Sequence, residues 1–233
     1  MRLAVLLLVV AALLVLGALG LREFNFGTAE LKFLGDFGLG AIGLSGTLLA
    51  AQAMAQLFFS DLADGAAVCV LTRPARRWEY IAGKYGGVAA LLALFTAVMG
   101  TLLAGLLLWR GSQLGVMPAS LPVLLSACAL QWMKFTLVAA MTLLVCSYAG
   151  TALFASCAGL LLAAIGHLRP FAAGSAAGWL RIWPNLALFD AETLLGTGEL
   201  LAGPRLLGLA GYWAVCVLLL GFLAAHAFQR REF

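Results

Sequence analysis

The amino-acid sequence predicts an all-α integral membrane protein, folded as a single bundle of six transmembrane helices. Hydrophobic residues make up 64% of the 233-residue chain and charged residues only 10%, whereas soluble domains carry about 25% charged residues. A soluble core of this size could not bury so much apolar surface. The apolar residues also form continuous runs, while membrane β-strands alternate apolar and polar residues over about 10 positions.

A helix needs about 20 mainly apolar residues to cross the hydrocarbon core of a bilayer. Six runs meet this requirement, at residues 3–21, 37–59, 85–109, 121–146, 149–167 and 206–228. We expect the first run to be an uncleaved span, because it exceeds the usual signal-peptide core of about 7–15 residues and no clean A-x-A site follows it. A signal peptide is the alternative. No soluble domain separates the runs, so residues 1–233 are expected to form one domain.

The distribution of cations predicts which side of the membrane each loop occupies. The loop at residues 61–84 contains four clustered cations, namely Arg73, Arg76, Arg77 and Lys84. Cations bunched next to hydrophobic spans favour the cytoplasmic side. An even number of spans then places both termini in the cytoplasm, and the polar residues 229–233 fit a cytoplasmic tail. Residues 168–205 become an outer loop.

The outer loop is predicted to contain a short amphipathic helix on the membrane surface. Its two tryptophans fit an interfacial aromatic belt. Asn185 can cap a helix that Gly196 ends, and this helix would leave Asp190 and Glu192 exposed. A lid over a substrate cavity is an equally good interpretation.

Two features of the second run have both a functional and a structural interpretation. Small residues recur from Gly38 to Gly46, and such residues let helix backbones approach closely in lipid. They indicate either a subunit interface or ordinary packing within the bundle. Gln52 and Gln56 are four residues apart and share one helix face. They could line a polar pathway or form hydrogen bonds to neighbouring helices.

Lys134 lies near the middle of the fourth run. An ionisable group inside the membrane is costly and therefore indicates a functional site, here a transport pathway. The structural alternatives are a side chain that snorkels to the interface or a helix break after Gln131. His167, at the end of the fifth run, has no second metal ligand near it in the sequence, and His226 is on a distant span. No metal site is therefore predicted.

No catalytic residue is predicted, because neither an H-E-x-x-H nor a G-x-S-x-G motif occurs and no span contains paired carboxylates. The pair Gly83-Lys84 lacks the upstream glycine and the downstream Ser/Thr of a phosphate-binding loop. The chain is therefore not expected to be an enzyme or to bind a cofactor by itself. A net charge of +4 without interleaved aromatic residues argues against nucleic acid as a partner.

The order of residue types in the loop at residues 61–84 is more specific than its positive charge. An acidic residue is followed by Leu-Thr-Arg-Pro-x-x-Arg-x-Glu-Tyr-x-x-Gly-Lys, at Asp61 and residues 71–84. This pattern resembles permease subunits of type-2 ATP-binding-cassette transporters, most closely the branch associated with multicopper-enzyme maturation, which includes the nitrous-oxide-reductase maturation permease. Three other stretches are also similar to that branch and begin at Asp36, Ile165 and Trp183. The resemblance covers most of the chain in the right order.

The resemblance implies a dimer of permease subunits in the inner membrane, either a homodimer or a heterodimer with a second permease. Two separate cytoplasmic ATPase subunits would bind ATP and Mg, and the 61–84 segment would transmit their movement to the spans. The residues implied in ATPase coupling are Asp61, Arg73, Pro74, Arg76, Arg77, Glu79, Gly83 and Lys84. The competing classes are a secondary transporter and a non-transporting membrane scaffold or assembly factor.

The chain departs from the family pattern at two places. Family members usually begin with a basic amphipathic helix on the cytoplasmic face, whereas Met1-Arg2 leads directly into the first run. The residues 64–67 also replace a more charged family pattern. Both departures concern the surface on which an ATPase would dock.

Overall fold

A computed structural model describes residues 30–63, 77–115, 120–172, 183–191 and 203–229, together with Val9 and Gly17. These residues are 94% helical and contain no β-strand. The predicted all-α class is therefore confirmed for the part of the chain that the structure describes.

Five α-helices form the described bundle. They are α1 (Glu30–Ala63), α2 (Arg77–Leu114), α3 (Leu121–Tyr148), α4 (Ala152–Leu168) and α5 (Gly203–Gln229). By length and composition, α1, α2, α3 and α5 are able to cross a membrane, whereas α4 is a shorter apolar helix of 17 residues. Four long apolar helices suggest a membrane-embedded protein.

The count of six spans is not confirmed, because the described residues contain five helices. The predicted first span, residues 3–21, lies outside the described residues except for Val9 and Gly17, which are helical. The other five predicted spans each coincide with a helix. However, α1 has 34 residues and α2 has 38, so both are longer than the roughly 30 Å apolar core requires. Residues 77–84, predicted as loop, form the first turns of α2.

Helix α3 is the centre of the bundle and packs against the other four helices. Its packing against α1 depends on Gly46, which lies directly against the aromatic ring of Phe135, so that a Cβ atom there would overlap the ring. Gly159 of α4 lies similarly close to Thr142. Small residues therefore allow close helix packing inside the bundle, which favours the packing interpretation of the glycines in α1.

Side-chain hydrogen bonds also join the helices. The indole Nε1 of Trp213 on α5 donates to Thr136 Oγ1 on α3 at 2.9 Å, and Tyr85 Oη on α2 donates to the Thr136 carbonyl oxygen at 3.2 Å. Ser147 Oγ on α3 donates to the carbonyl oxygen of Ala224 at 3.1 Å. Each bond satisfies a polar group that lipid cannot solvate.

The segment 183–191, which follows α4, is inserted into the bundle. It contains a short 3₁₀ turn, Leu186–Phe189, that packs against α3 and α4. Leu186, Phe189 and Ala191 are all 0% exposed. Gly166, near the end of α4, permits this close approach, because a Cβ atom there would come 3.0 Å from the carbonyl oxygen of Pro184.

The predicted amphipathic surface helix is described only in its first part, residues 185–191, which contain a 3₁₀ turn and not an α-helix; its remainder up to Gly196 lies outside the described residues. Asn185 does act as a cap, since its Oδ1 accepts a hydrogen bond from the Ala187 N–H at 3.2 Å. The turn that it caps has only 4 residues, of which Leu186 and Phe189 are buried while Leu188 is exposed. The buried residues of the turn pack against α3 and α4.

Candidate functional site

The inserted segment brings an acid to the only cation predicted inside a span. The Nζ of Lys134 donates to Asp190 Oδ1 at 2.6 Å, and the Nε2 of His167 lies 3.7 Å from the same oxygen. The lysine side chain is 8% exposed and the aspartate side chain 36%. We call Lys134, His167 and Asp190 the polar cluster.

Each member of the polar cluster is positioned by a different element. Lys134 is near the midpoint of α3, which has 28 residues and continues through it as a regular helix. His167 is in the last turn of α4. Asp190 follows the 3₁₀ turn and its N–H donates to the Ala187 carbonyl oxygen at 3.3 Å. The predicted helix break after Gln131 is therefore wrong, because α3 is continuous there. Snorkelling of the Lys134 side chain to a membrane interface stays a prediction.

The charges of the cluster keep Asp190 ionised. Burial by itself raises the pKa of the Asp190 carboxyl. The interactions of the carboxyl with His167 and Lys134, including the hydrogen bond and the positive charge of Lys134, outweigh burial and hold this pKa below its ordinary value of 3.8. The Lys134–Asp190 contact is consequently an ion pair at neutral pH. Asp190, predicted to be exposed, is partly buried, with its side chain 36% exposed.

A cavity of about 310 Å³ opens beside the polar cluster. Its walls are formed by Leu39, Gly40, Gly43, Leu44, Thr47, Gln131, Lys134, His167 and Asp190. The amide nitrogen of Gln131 donates to the Leu39 carbonyl oxygen at 3.5 Å, but its buried Oε1 has no hydrogen-bond partner among the described residues. A polar cavity of this size has room for several water molecules, and Gln131 offers them an unused acceptor.

A second cluster joins the ends of α1 and α2 where segment 64–76 connects them. Lys84 forms an ion pair with Asp61 and also donates to the Leu57 carbonyl oxygen at 2.9 Å. The hydroxyl of Tyr80 donates to Asp61 Oδ2 at 3.4 Å, and Lys84 Nζ lies 5.9 Å from the centre of the Tyr80 ring. These contacts hold the two helix ends together, and we call them the helix-end clamp.

Aromatic side chains extend the helix-end clamp to α5. The ring of Phe228 stacks on Tyr80 with 5.8 Å between centroids and meets Phe58 edge-on, also at 5.8 Å. Phe58 and Phe228 are almost completely buried. The ends of α1, α2 and α5 are thereby packed into one unit.

The predicted coupling residues are described only in part. Asp61 and Lys84 meet in the helix-end clamp, while Glu79 is exposed in the first turn of α2 and Gly83 follows one turn later. Three others, Arg73, Pro74 and Arg76, lie outside the described residues, and so does the side chain of Arg77.

The residues predicted to line a transport pathway do not lie together in the structure. Lys134 belongs to the polar cluster, whereas Gln52 is half-buried, Gln56 is exposed, and neither lines the polar cavity. Sequence reasoning missed His167 and Asp190 as partners of Lys134. The available signal was physical, because a charge inside a span requires a counter-ion and the chain has only 10 acidic residues.

A larger cavity, of about 370 Å³, lies between α2 and α3 and is lined almost entirely by apolar side chains. Within the described ranges, no group of three or more His, Cys, Asp and Glu side chains is arranged to hold a metal ion. No protein-family model matches the chain, and no curated protein matches it significantly.

Proposed function

We propose that the protein is the permease subunit of an ATP-binding-cassette transporter, in which a separate cytoplasmic ATPase drives substrate across the inner membrane. The observation that carries this proposal is the helix-end clamp. Asp61 and Lys84 belong to the loop pattern that resembles such permeases, and they pair across the two ends of segment 64–76. An ATPase that binds this segment would act on two long helices at once.

The proposed coupling runs through packed side chains. Displacement of segment 64–76 moves the ends of α1 and α2 together, because the Asp61–Lys84 pair and Tyr80 link them. Phe228 carries the movement to α5. In turn, α1 packs on α3 and α4, the helices that hold the polar cluster. ATP and Mg bind the partner ATPase, and the permease works as a homodimer or with a second permease, with its termini in the cytoplasm.

The proposal is tested by reversing charges within the segment. The tagged protein is co-expressed with a stand-alone ATPase encoded by a neighbouring gene, and the pair is purified in mild detergent. We expect the double variant Arg76→Glu/Arg77→Glu to lose the ATPase while it still inserts into the membrane. Arg205→Glu is the matched control, because Arg205 is an exposed cation at the start of α5, away from the clamp.

Two results contradict the proposal. One is undiminished co-purification of the ATPase with the Arg76→Glu/Arg77→Glu variant. The other is the absence of any ATPase that co-purifies with the wild-type protein and hydrolyses ATP faster in its presence.

The polar cluster favours a second candidate, an ion-gradient-driven secondary transporter. Ionisable side chains buried near the middle of a span, next to irregular backbone, are typical of coupling sites in such proteins. Lys134 and Asp190 have both properties. Uptake by proteoliposomes that contain this chain alone, driven by a pH gradient and insensitive to added ATP, would favour this class over the permease.

A further inference from the structure

The hydrogen bonds of His167 fix which ring nitrogen carries its hydrogen. The Nδ1 lies 3.1 Å from the carbonyl oxygen of Ala163. A carbonyl oxygen only accepts hydrogen bonds, so Nδ1 is the protonated nitrogen and donates to it. In a neutral ring Nε2 is then an acceptor, and it faces the carboxylate oxygen of Asp190 at 3.7 Å. Two acceptors that face each other repel, whereas a protonated Nε2 attracts the carboxylate.

The charged groups around His167 favour an added proton only through Asp190. Lys134 on α3 is the other charged group in the cavity wall, and its charge balances that of Asp190. The part of α1 that lines the cavity, between Leu39 and Thr47, contributes no titratable side chain. On the same helix, Asp36 precedes Gly40 by one turn, and its buried Oδ1 has no hydrogen-bond partner among the described residues.

The remaining elements packed near His167 add one cation and a phenol. Arg169, two residues after His167, donates from Nη1 to Tyr212 Oη on α5 at 3.4 Å. Tyr212 Oη in turn accepts a hydrogen bond from the Asn185 N–H at 2.9 Å. Both groups are therefore engaged with the base of the inserted segment.

Water in the cavity gives a proton access to Nε2. His167, Asp190 and Gln131 all line the same cavity. The unused Oε1 of Gln131 can accept a hydrogen bond from a water molecule there. An excess proton from bulk solvent, passed on by such water as H₃O⁺, forms an N–H bond at Nε2 and leaves neutral water behind; Nδ1 keeps its hydrogen, and the ring charge changes from 0 to +1.

We propose that His167 Nε2 and the Asp190 carboxylate form a proton-binding site that fastens the inserted segment 183–191 to the end of α4. Proton uptake converts an acceptor–acceptor contact into an ion pair between the two elements. Proton release leaves Lys134 as the partner of Asp190. This proton-binding site does not depend on the energy source for transport. An experiment that contradicts the site would therefore leave the proposed permease function untested, and the reverse also holds.

The experiment uses the fact that the chain has two histidines, His167 and His226. The full-length His226→Gln protein, labelled with ¹⁵N-histidine and reconstituted in lipid nanodiscs, has a single imidazole ring. NMR then distinguishes a protonated ring nitrogen from a bare one. Between about pH 8 and pH 5, where histidine charge normally changes, we expect Nδ1 to stay protonated and Nε2 to gain a proton.

The matched variant is Asp190→Asn in the same background. Loss of the carboxylate charge removes the attraction for a proton at Nε2, so we expect Asp190→Asn to weaken proton binding there. The control is His167→Gln, which leaves only His226. The ring of His226 stacks on Phe222 with 6.5 Å between centroids, and its titration should be the same with or without Asp190→Asn.

Three results would overturn the proposal. The first is the opposite tautomer, with Nε2 protonated and Nδ1 bare in the neutral ring. The second is an Nε2 that does not change over this pH range. The third is a titration that Asp190→Asn leaves in place. The first two are measured without altering the polar cluster, so they test the proposal even if Asp190→Asn does not fold.

Discussion

Removing one partner of the Lys134–Asp190 ion pair should destabilise the protein strongly, because the lysine of this pair is almost completely buried in the bundle. The Nζ–Oδ1 distance is 2.6 Å and the lysine side chain is 8% exposed, so the ammonium is poorly solvated when the carboxylate is lost. A buried charge left without its partner costs about 3–5 kcal/mol.

The two single substitutions should destabilise the protein by different amounts. Lys134→Met leaves the carboxylate of Asp190, which is 36% exposed and keeps partial access to water, so we expect a cost of about 3 kcal/mol. Asp190→Asn leaves the ammonium of Lys134, which is 8% exposed, so we expect about 4 kcal/mol. The double variant leaves no unpaired charge. Its destabilisation should fall short of the sum of the single effects by at least about 2 kcal/mol.

The measurement is reversible unfolding by SDS in mixed micelles, followed by the fluorescence of the 6 tryptophans. The matched control is the same cycle with Lys84→Met and Asp61→Asn in the helix-end clamp. Lys84 is 17% exposed and therefore more accessible to water than Lys134, which is 8% exposed, so we expect the smaller coupling energy in the Lys84–Asp61 pair. Additive effects of Lys134→Met and Asp190→Asn would refute the reasoning, as would equal coupling in the two pairs.

Three further predictions use the same unfolding assay. Gly46→Ala should lower the free energy of unfolding by roughly 1–3 kcal/mol, because its methyl group overlaps an aromatic ring of α3. The control Gly87→Ala lies in open space on α2 and should be neutral or stabilising. Equal effects of the two substitutions would contradict this packing. Thr136→Val removes the hydrogen bond from the α5 indole and should cost about 0.6 kcal/mol and at most about 1.7; a larger loss would show that the residue has another role. In a His167→Gln background, Asp190→Asn should cost a constant amount above about pH 5. The partners of Asp190 lower the pKa of its carboxyl in the folded protein. The carboxylate therefore stabilises the fold above the unfolded pKa of about 3.9, and this stabilisation is lost as the pH falls through the lower folded value. A destabilisation by Asp190→Asn that grows on acidification would contradict this sign.

The sequence predicts the helices better than their ends. Apolar runs are long and continuous, and lipid leaves helices as the only way to satisfy the backbone, so five of the predicted spans coincide with helices. The extension of α1 to Ala63 and the start of α2 at Arg77 were not predicted. A helix continues beyond the bilayer wherever propensity and packing allow it, and an apolar run marks only the part inside lipid.

The candidate sites were predictable one residue at a time but not as arrangements. Lys134 stands out because a charge inside an apolar run is rare, and the loop pattern points to Asp61 and Lys84. The pairing of Lys134 with Asp190 spans 56 residues and depends on the insertion of segment 183–191. Nothing local encodes this insertion, since the same residues also fit a surface helix with an Asn cap.

The order of synthesis adds a consequence to the inserted segment. The ribosome completes Lys134 before Asp190, and 56 residues separate the two. At about 5–20 residues per second, α3 waits roughly 3–11 s for its counter-ion. During that interval the nascent chain holds an uncompensated cation at membrane depth, so the insertion machinery or a chaperone must shelter α3 until the segment arrives. A chain truncated before Asp190 lacks this counter-ion, so we expect membrane proteases to degrade it faster than the full-length chain.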